Sequence, residues 1–192
     1  VRSVVLEGSA PNDAAYVDGL AAAVASLAEL RRSTLVLLTS FQMLEGLATR
    51  LRAPLAALGV PLLAQAPGAP AAPLADAFRD RPGSVLLGTA SFWEGVDFPG
   101  AALEILVIAR LPFPVPTDPV VEARSERISA EGGDPFKELM LPEAILRFRQ
   151  GVGRLIRSAT DRGAGLVAEP RLLRAWYGAR FAAWLPSRPA GA

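Results

Sequence analysis

Five short runs in this 192-residue chain are apolar at nearly every position: Thr34-Leu35-Val36-Leu37-Leu38-Thr39, Val60 to Ala64, Ser84-Val85-Leu86-Leu87-Gly88, Leu103 to Ala109 and Gly165-Leu166-Val167-Ala168. A strand with one wet face alternates apolar and polar side chains. A run without alternation needs cover on both faces, which a parallel sheet flanked by helices provides. The intervals supply helices: Asp13 to Leu30, Phe41 to Leu58 behind Ser40 as a plausible N-cap, Val120 to Ala130, Pro142 to Ile156 and Pro170 to Leu185. Several carry Pro near the first turn, where a missing N–H costs nothing. The pattern predicts one α/β domain over residues 1–192, a mostly parallel sheet with helices on both faces and no internal repeat. Ligands of such sheets gather at the carboxyl ends of the strands.

Composition narrows the chemistry. The chain has no His and no Cys, which excludes imidazole-based triads, imidazole metal ligands, thiolate nucleophiles, disulfides, zinc ribbons and iron–sulfur ligands from its own residues. Lys137 is the only lysine and lies in Asp134-Pro135-Phe136-Lys137-Glu138, so no Walker A phosphate loop exists here. Residues 1–140 hold 11 basic and 16 acidic groups, whereas 141–192 hold 9 and 3. That asymmetry points to an anionic partner for the C-terminal portion. The longest uncharged run, Ala53 to Ala75, has the length of a membrane span but contains Pro54, Pro61, Pro67, Pro70 and Pro73, the last three expected in a Pro/Gly/Ala-rich loop. With no signal-like stretch in Val1 to Glu7, a soluble cytoplasmic domain without membrane contact is expected.

Three stretches at strand ends can carry chemistry. Gly88 to Gly100 offers Thr89 and Ser91 hydroxyls and places Glu94 and Asp97 around Gly95. It suits phosphate and ribose contacts, or else forms a strand-to-helix turn with Phe92, Trp93 and Phe98 as core. Arg147 to Ser158 spaces Arg154 and Arg157 so that a helix projects both from one face, as it does Arg147 and Gln150. Paired guanidinium groups suit a polyphosphate, although an Arg cluster is commonly only a solvated face. Gly151 and Gly153 each cost a helix about 1 kcal/mol, which suggests close approach of another backbone or a ligand. Thr39-Ser40-Phe41-Gln42 is a third anion-compatible helix start, or plain N-capping by Ser40. The loop Arg110 to Pro119, with four prolines, is stiff and exits a strand. It is read as a connector able to border a nucleic-acid path.

Together these segments resemble the C-terminal motor domain of the DinG/XPD-like superfamily 2 DNA helicases, bacterial DinG type. The likeness rests on Leu35 to Phe41 (motif IV), Leu87 to Gly100 (motif V), Gln150 to Ser158 (motif VI), Leu111-Pro112-Phe113-Pro114-Val115-Pro116 and Glu131-Gly132-Gly133-Asp134-Pro135-Phe136. It runs from about Pro11 to Leu185.

The resemblance implies a RecA-like fold for the second of two motor domains, hence a fragment of a longer ATP-dependent DNA helicase. ATP and Mg2+ would be shared with a first RecA-like domain, which would carry the Walker motifs and any iron–sulfur cluster. The partner would be single-stranded DNA, tracked 5′ to 3′ in repair or replication. Carried over by position, Arg154 and Arg157 would be arginine fingers, and Gln150 would position the nucleotide or its attacking water. Gly95, Asp97 and Gly153 would lie at the nucleotide, and Thr39, Ser40, Thr89 and Ser91 would hydrogen-bond DNA phosphates; no metal ligand is expected. One departure is Ala168-Glu169-Pro170-Arg171, where the family pattern implies Asp before Pro. The isolated chain is expected to fold without hydrolysing ATP. The alternative is a non-catalytic nucleic-acid-binding module derived from a helicase domain.

Overall fold

A computed structural model of the chain describes residues 13–94, 96, 98, 102–153, 155 and 163–185. Its sheet has five strands, β1 (Thr34–Leu37), β2 (Leu62–Ala64), β3 (Val85–Gly88), β4 (Ile105–Ile108) and β5 (Ala164–Val167), in the order β2-β3-β1-β4-β5. All four pairings are parallel, with Thr34 opposite both Val85 and Ile105. Every residue of β1, β3 and β4 is buried, as runs without alternation require.

Successive side chains of these strands enter opposite layers. Val36, Leu38, Val85, Leu87, Ile105, Val107 and Leu166 pack against α1 (Ala14–Ala28) and α2 (Phe41–Leu58), which contribute Leu20, Val24, Leu47, Leu51 and Leu55. Leu35, Leu37, Leu86, Leu106, Ile108 and Val167 face the other way. They meet Phe78 of α3 (Ala71–Arg79), Phe92 and Trp93 of α4 (Ala90–Glu94), and Phe148 of α6 (Leu141–Val152). Leu172 of α7 (Arg171–Arg174) and Phe181 of α8 (Gly178–Ala182) complete that layer. Fully burying one such side chain is worth about 1.5–3 kcal/mol. An outlying helix, α5 (Pro119–Ala130), buries only Val121 and is tied to α6 by an Arg124–Glu143 ion pair at 2.6 Å.

Three expectations need correction. The loop expected around Pro67, Pro70 and Pro73 holds at Pro67 but stops short of the other two: Pro70 is the N-cap of α3, and Pro73 falls in its first turn, where no backbone donor is needed. The helix expected from Pro142 instead grows out of a π-helical turn, Phe136–Met140, and ends at Val152 with Gly153 as C-cap. Within the turn the Asp134 carboxylate accepts from the N–H groups of Phe136 (3.0 Å) and Lys137 (3.3 Å). Finally, Pro170 to Leu185 is two short helices, because Ala175 is extended (ψ 146°). Among the described residues no helix is long and apolar enough to cross a membrane.

Candidate functional site

Three segments far apart in sequence meet at the carboxyl ends of β1 and β3, and Trp93 joins them. Its indole N–H donates to the carbonyl of Leu38 at 3.0 Å, which fixes the end of β1. Its six-membered ring lies where a Cβ on Gly151 would be, 2.8 Å from that position, with a Leu37 methyl at 3.2 Å. The close approach anticipated at Gly151 is therefore made by an aromatic side chain, not by a second backbone or a ligand. Phe92 does the same on the strand side, with ring atoms 2.5 Å from a Cβ on Gly88. Each aromatic of α4 thus sits on a glycine, and any larger residue there overpacks. Phe92, Trp93 and Phe98 are all buried, so the expected core role of these aromatics holds within the segment that also carries the hydroxyls.

Thr89 and Ser91 are organised by a residue that sequence reasoning missed. Gln65, buried just after β2, accepts through Oε1 from the Thr89 N–H (2.9 Å) and hydroxyl (3.0 Å). Its Nε2 donates to the Ser91 hydroxyl at 2.7 Å. Thr89 is buried with its proton committed inward. Ser91 is exposed and accepts from Gln65, which leaves its own proton for an outside acceptor and polarises it for that task. The primary amide accepts through its oxygen and donates through its nitrogen at the same time, and nothing local in Ala64-Gln65-Ala66 announces it.

Ser40 caps α2, its hydroxyl accepting from the Met43 N–H at 3.3 Å. It is exposed and borders a groove between α1 and α2 with Gln42 and Arg50. Thr39 is half-buried and borders a different groove, lined by Leu38, Ala90, Trp93, Pro112, Phe113, Val115 and Arg147. On α6, Gln150 is exposed in the last turn and Gly153 is exposed at the C-cap in right-handed geometry. Arg149 lies over the Trp184 ring at 4.4 Å. Gly95, Asp97, Arg154 and Arg157 lie outside the described residues. Buried Trp93 and Phe98 bracket the first two, and buried Val152 and Leu155 bracket Arg154. Phe98 is held edge-on to Phe78 at 5.4 Å.

A second polar cluster closes the ends of β4 and β5. Glu169 is 1% exposed, and its carboxylate accepts from Arg171 Nε (2.9 Å), Nη2 (2.7 Å) and backbone N–H (3.1 Å). Such a two-pronged, charge-assisted pair is among the stronger side-chain contacts. The Tyr16 hydroxyl lies against the carbonyls of Ala109 and Ala168, the latter at 2.7 Å. Burial, then the charge of Glu169, pushes this phenol well above the ordinary tyrosine range. Burial pulls the Arg110 guanidinium below its usual value, and hydrogen bonding to Glu169 raises Arg171. Glu169 is thus held as the ion-pair partner of Arg171. Among the described residues no group of three acidic side chains is placed to hold a metal ion.

Residues 24–188 match the family described as helicase C-terminal domain. The chain is 42% identical over 160 residues to the 3'-5' exonuclease DinG of Bacillus subtilis, covering 83% of this chain and 17% of that protein. It is 42% identical over 154 residues to the ATP-dependent DNA helicase YoaA of Escherichia coli, covering 80% and 24%. The chain therefore spans about a fifth of the length of these relatives. Among solved structures, an XPD helicase superposes with a TM-score of 0.67 at 16% identity, covering 95% of this chain and 32% of that one. The second helicase domain of Mss116p, a DEAD-box protein, gives 0.52 at 13% identity, covering 88% and 56%. The shared fold is RecA-like.

Proposed function

The chain belongs to the helicase C-terminal domain family, and we propose that it forms the second motor half of a longer ATP-dependent DNA helicase of the DinG/YoaA kind. The observation that carries this reading is the convergence on Trp93. One indole binds the end of β1, anchors α4 and seats α6 through Gly151. A shift in any one of the three segments is thereby passed to the other two, as coupling nucleotide turnover to movement on a strand requires.

On this reading Ser91, Thr39 and Ser40 border the strand's phosphates, contacts that carry no sequence information; Thr89, which the resemblance also assigned to them, is buried on Gln65 and acts there only by fixing the amide that holds Ser91. Gln150, Arg154 and Arg157 face the nucleotide across the boundary with a first RecA-like domain, with Gly95, Asp97 and Gly153 beside them. These donors fit a polyphosphate, since guanidinium and amide N–H groups match its oxygens and no metal ligand is asked of this chain. ATP with Mg2+ supplies the γ-phosphoryl group and the free energy of its hydrolysis. Arg154 and Arg157 stabilise the charge that develops on that group, an effect worth ~10³–10⁵ in rate where such fingers operate. Movement from 5′ to 3′ and service in DNA repair or replication are part of the same proposal.

The test is DNA-stimulated ATPase of the full-length polypeptide with Arg157→Ala. A loss of about a hundredfold or more with single-stranded DNA binding retained is expected. Unchanged turnover would remove the finger assignment and favour a nucleic-acid-binding module without catalysis. The 192-residue chain alone is expected to hydrolyse no ATP, and turnover by the pure chain that Arg154→Ala abolishes would contradict this.

A further inference from the structure

The proline-rich loop after β4 is a motif that the motor reading leaves without a task. It turns back over the end of β1, so that Pro112, Phe113 and Val115 form one wall of the groove whose other wall is Leu38, Thr39, Ala90 and Trp93. The cavity is about 100 Å³ and open to solvent along one side. Among the described residues its lining is apolar apart from Thr39 and Arg147. Val115 is 57% exposed at the rim, an apolar side chain held in water by a loop too stiff to fold it away. Phe113 is locked from behind, stacked on Phe136 at 5.6 Å and beneath the Arg171 guanidinium at 5.4 Å. The wall is therefore preformed.

A groove for phosphate alone would be lined by donors. A rigid apolar slot with one guanidinium and one hydroxyl matches a nucleotide: a flat apolar base between the walls, and a phosphate by the cation. We infer that the groove between the proline-rich loop and Trp93 is a single-nucleotide pocket, which takes one unstacked base of a bound single strand while Arg147 and Thr39 hold its flanking phosphate. This inference rests on the DNA reading above and adds to it that this half of the motor grips a base as well as the backbone. Recognition is sequence-tolerant, because the apolar walls offer no pattern of donors and acceptors to read.

The experiment compares binding of the full-length polypeptide to an oligothymidylate and to an abasic strand of equal length and charge, by fluorescence anisotropy at fixed salt. Ala90→Phe fills the slot from an exposed position at the start of α4. It is expected to weaken oligothymidylate binding about tenfold and abasic binding less than about twofold. Val115→Ser, at an exposed loop position where folding is not at stake, is expected to give a smaller loss, about threefold, with the same selectivity. Equal losses on both strands, or no loss on either, would overturn the pocket while leaving the DNA reading intact. So would unchanged binding with lost ATPase, since the groove would then be covered by the other motor half. Failure of the wild-type protein to bind either strand would remove the DNA reading and this inference with it.

Discussion

The two layers that cover the sheet are built differently. The α1/α2 layer is two long helices with a smooth aliphatic seam of Leu20, Val24, Leu47, Leu51 and Leu55, joined at the surface by an Arg50–Asp18 ion pair. The opposite layer is five helices, two of them α3 and α4 and the rest α6 to α8, preceded by a π-helical turn, and its contacts are dominated by Phe78, Phe92, Trp93, Phe98, Phe148 and Phe181. Aliphatic seams tolerate small shifts, because many side-chain combinations fill them. Edge-to-face aromatic contacts such as Phe148–Phe181 at 5.3 Å fix orientation as well as distance. The first layer fastens the sheet, whereas the second holds α4 and α6 at the strand ends where the candidate site lies.

That contrast is tested most severely by paired truncations. Phe148→Ala and Leu47→Ala each empty a fully buried position and should cost about 3–5 and 2–5 kcal/mol in urea unfolding. Only Phe148→Ala is expected to lower DNA-stimulated ATPase per folded molecule in the full-length polypeptide. Equal loss from Leu47→Ala would erase the distinction between the layers. Next in size is Gly151→Ala, which drives a methyl into Trp93 and should destabilise by about 1–3 kcal/mol. Adding Trp93→Phe should recover part of that loss, and strict additivity of the two changes would mean that they do not share the contact.

Glu169→Gln removes a buried carboxylate from a bidentate pair. Loss of one partner from a fully buried pair costs several kcal/mol. The Arg171 side chain is 43% exposed, so the expected destabilisation is about 1–2 kcal/mol. The smallest effect is at the sheet's amino-terminal edge. There burial alone would raise the Glu104 carboxyl, but hydrogen bonds from Arg32 and the Ser33 N–H outweigh it and hold the group below its unfolded value of 4.5. A lowered carboxylate stabilises the fold above that value and loses its contribution as pH falls through the folded pKa. Glu104→Gln should therefore cost about 0.5 kcal/mol at neutral pH and nothing in acid below the folded pKa, read from midpoints across a pH series.

Much of the fastening layer was legible in the sequence. The unbroken apolarity of Leu35 to Leu38 dictates a central strand, and Ser40 before a long amphipathic stretch dictates the start of α2. The site layer was legible in its residues but not in their arrangement. Proline at 70 and 73 reads as a breaker unless the helix begins there, and Ala175 carries no sign of the extended backbone that splits the last helix. The partner of Gly151 is an aromatic 58 positions away in sequence, and the acceptor of the Thr89 hydroxyl comes from the segment just after β2. Both are set by how α4 and α6 settle on the sheet, which no local pattern encodes.

On the proposed reading this chain completes a nucleotide site with Arg154 and Arg157. Single-turnover ATP hydrolysis by the full-length polypeptide, wild type against Arg154→Ala, with and without single-stranded DNA, tests it most directly. A fall of about 10³ or more in the hydrolysis step is expected, with ATP still bound. Hydrolysis at the wild-type rate would contradict it and remove the arginine-finger assignment.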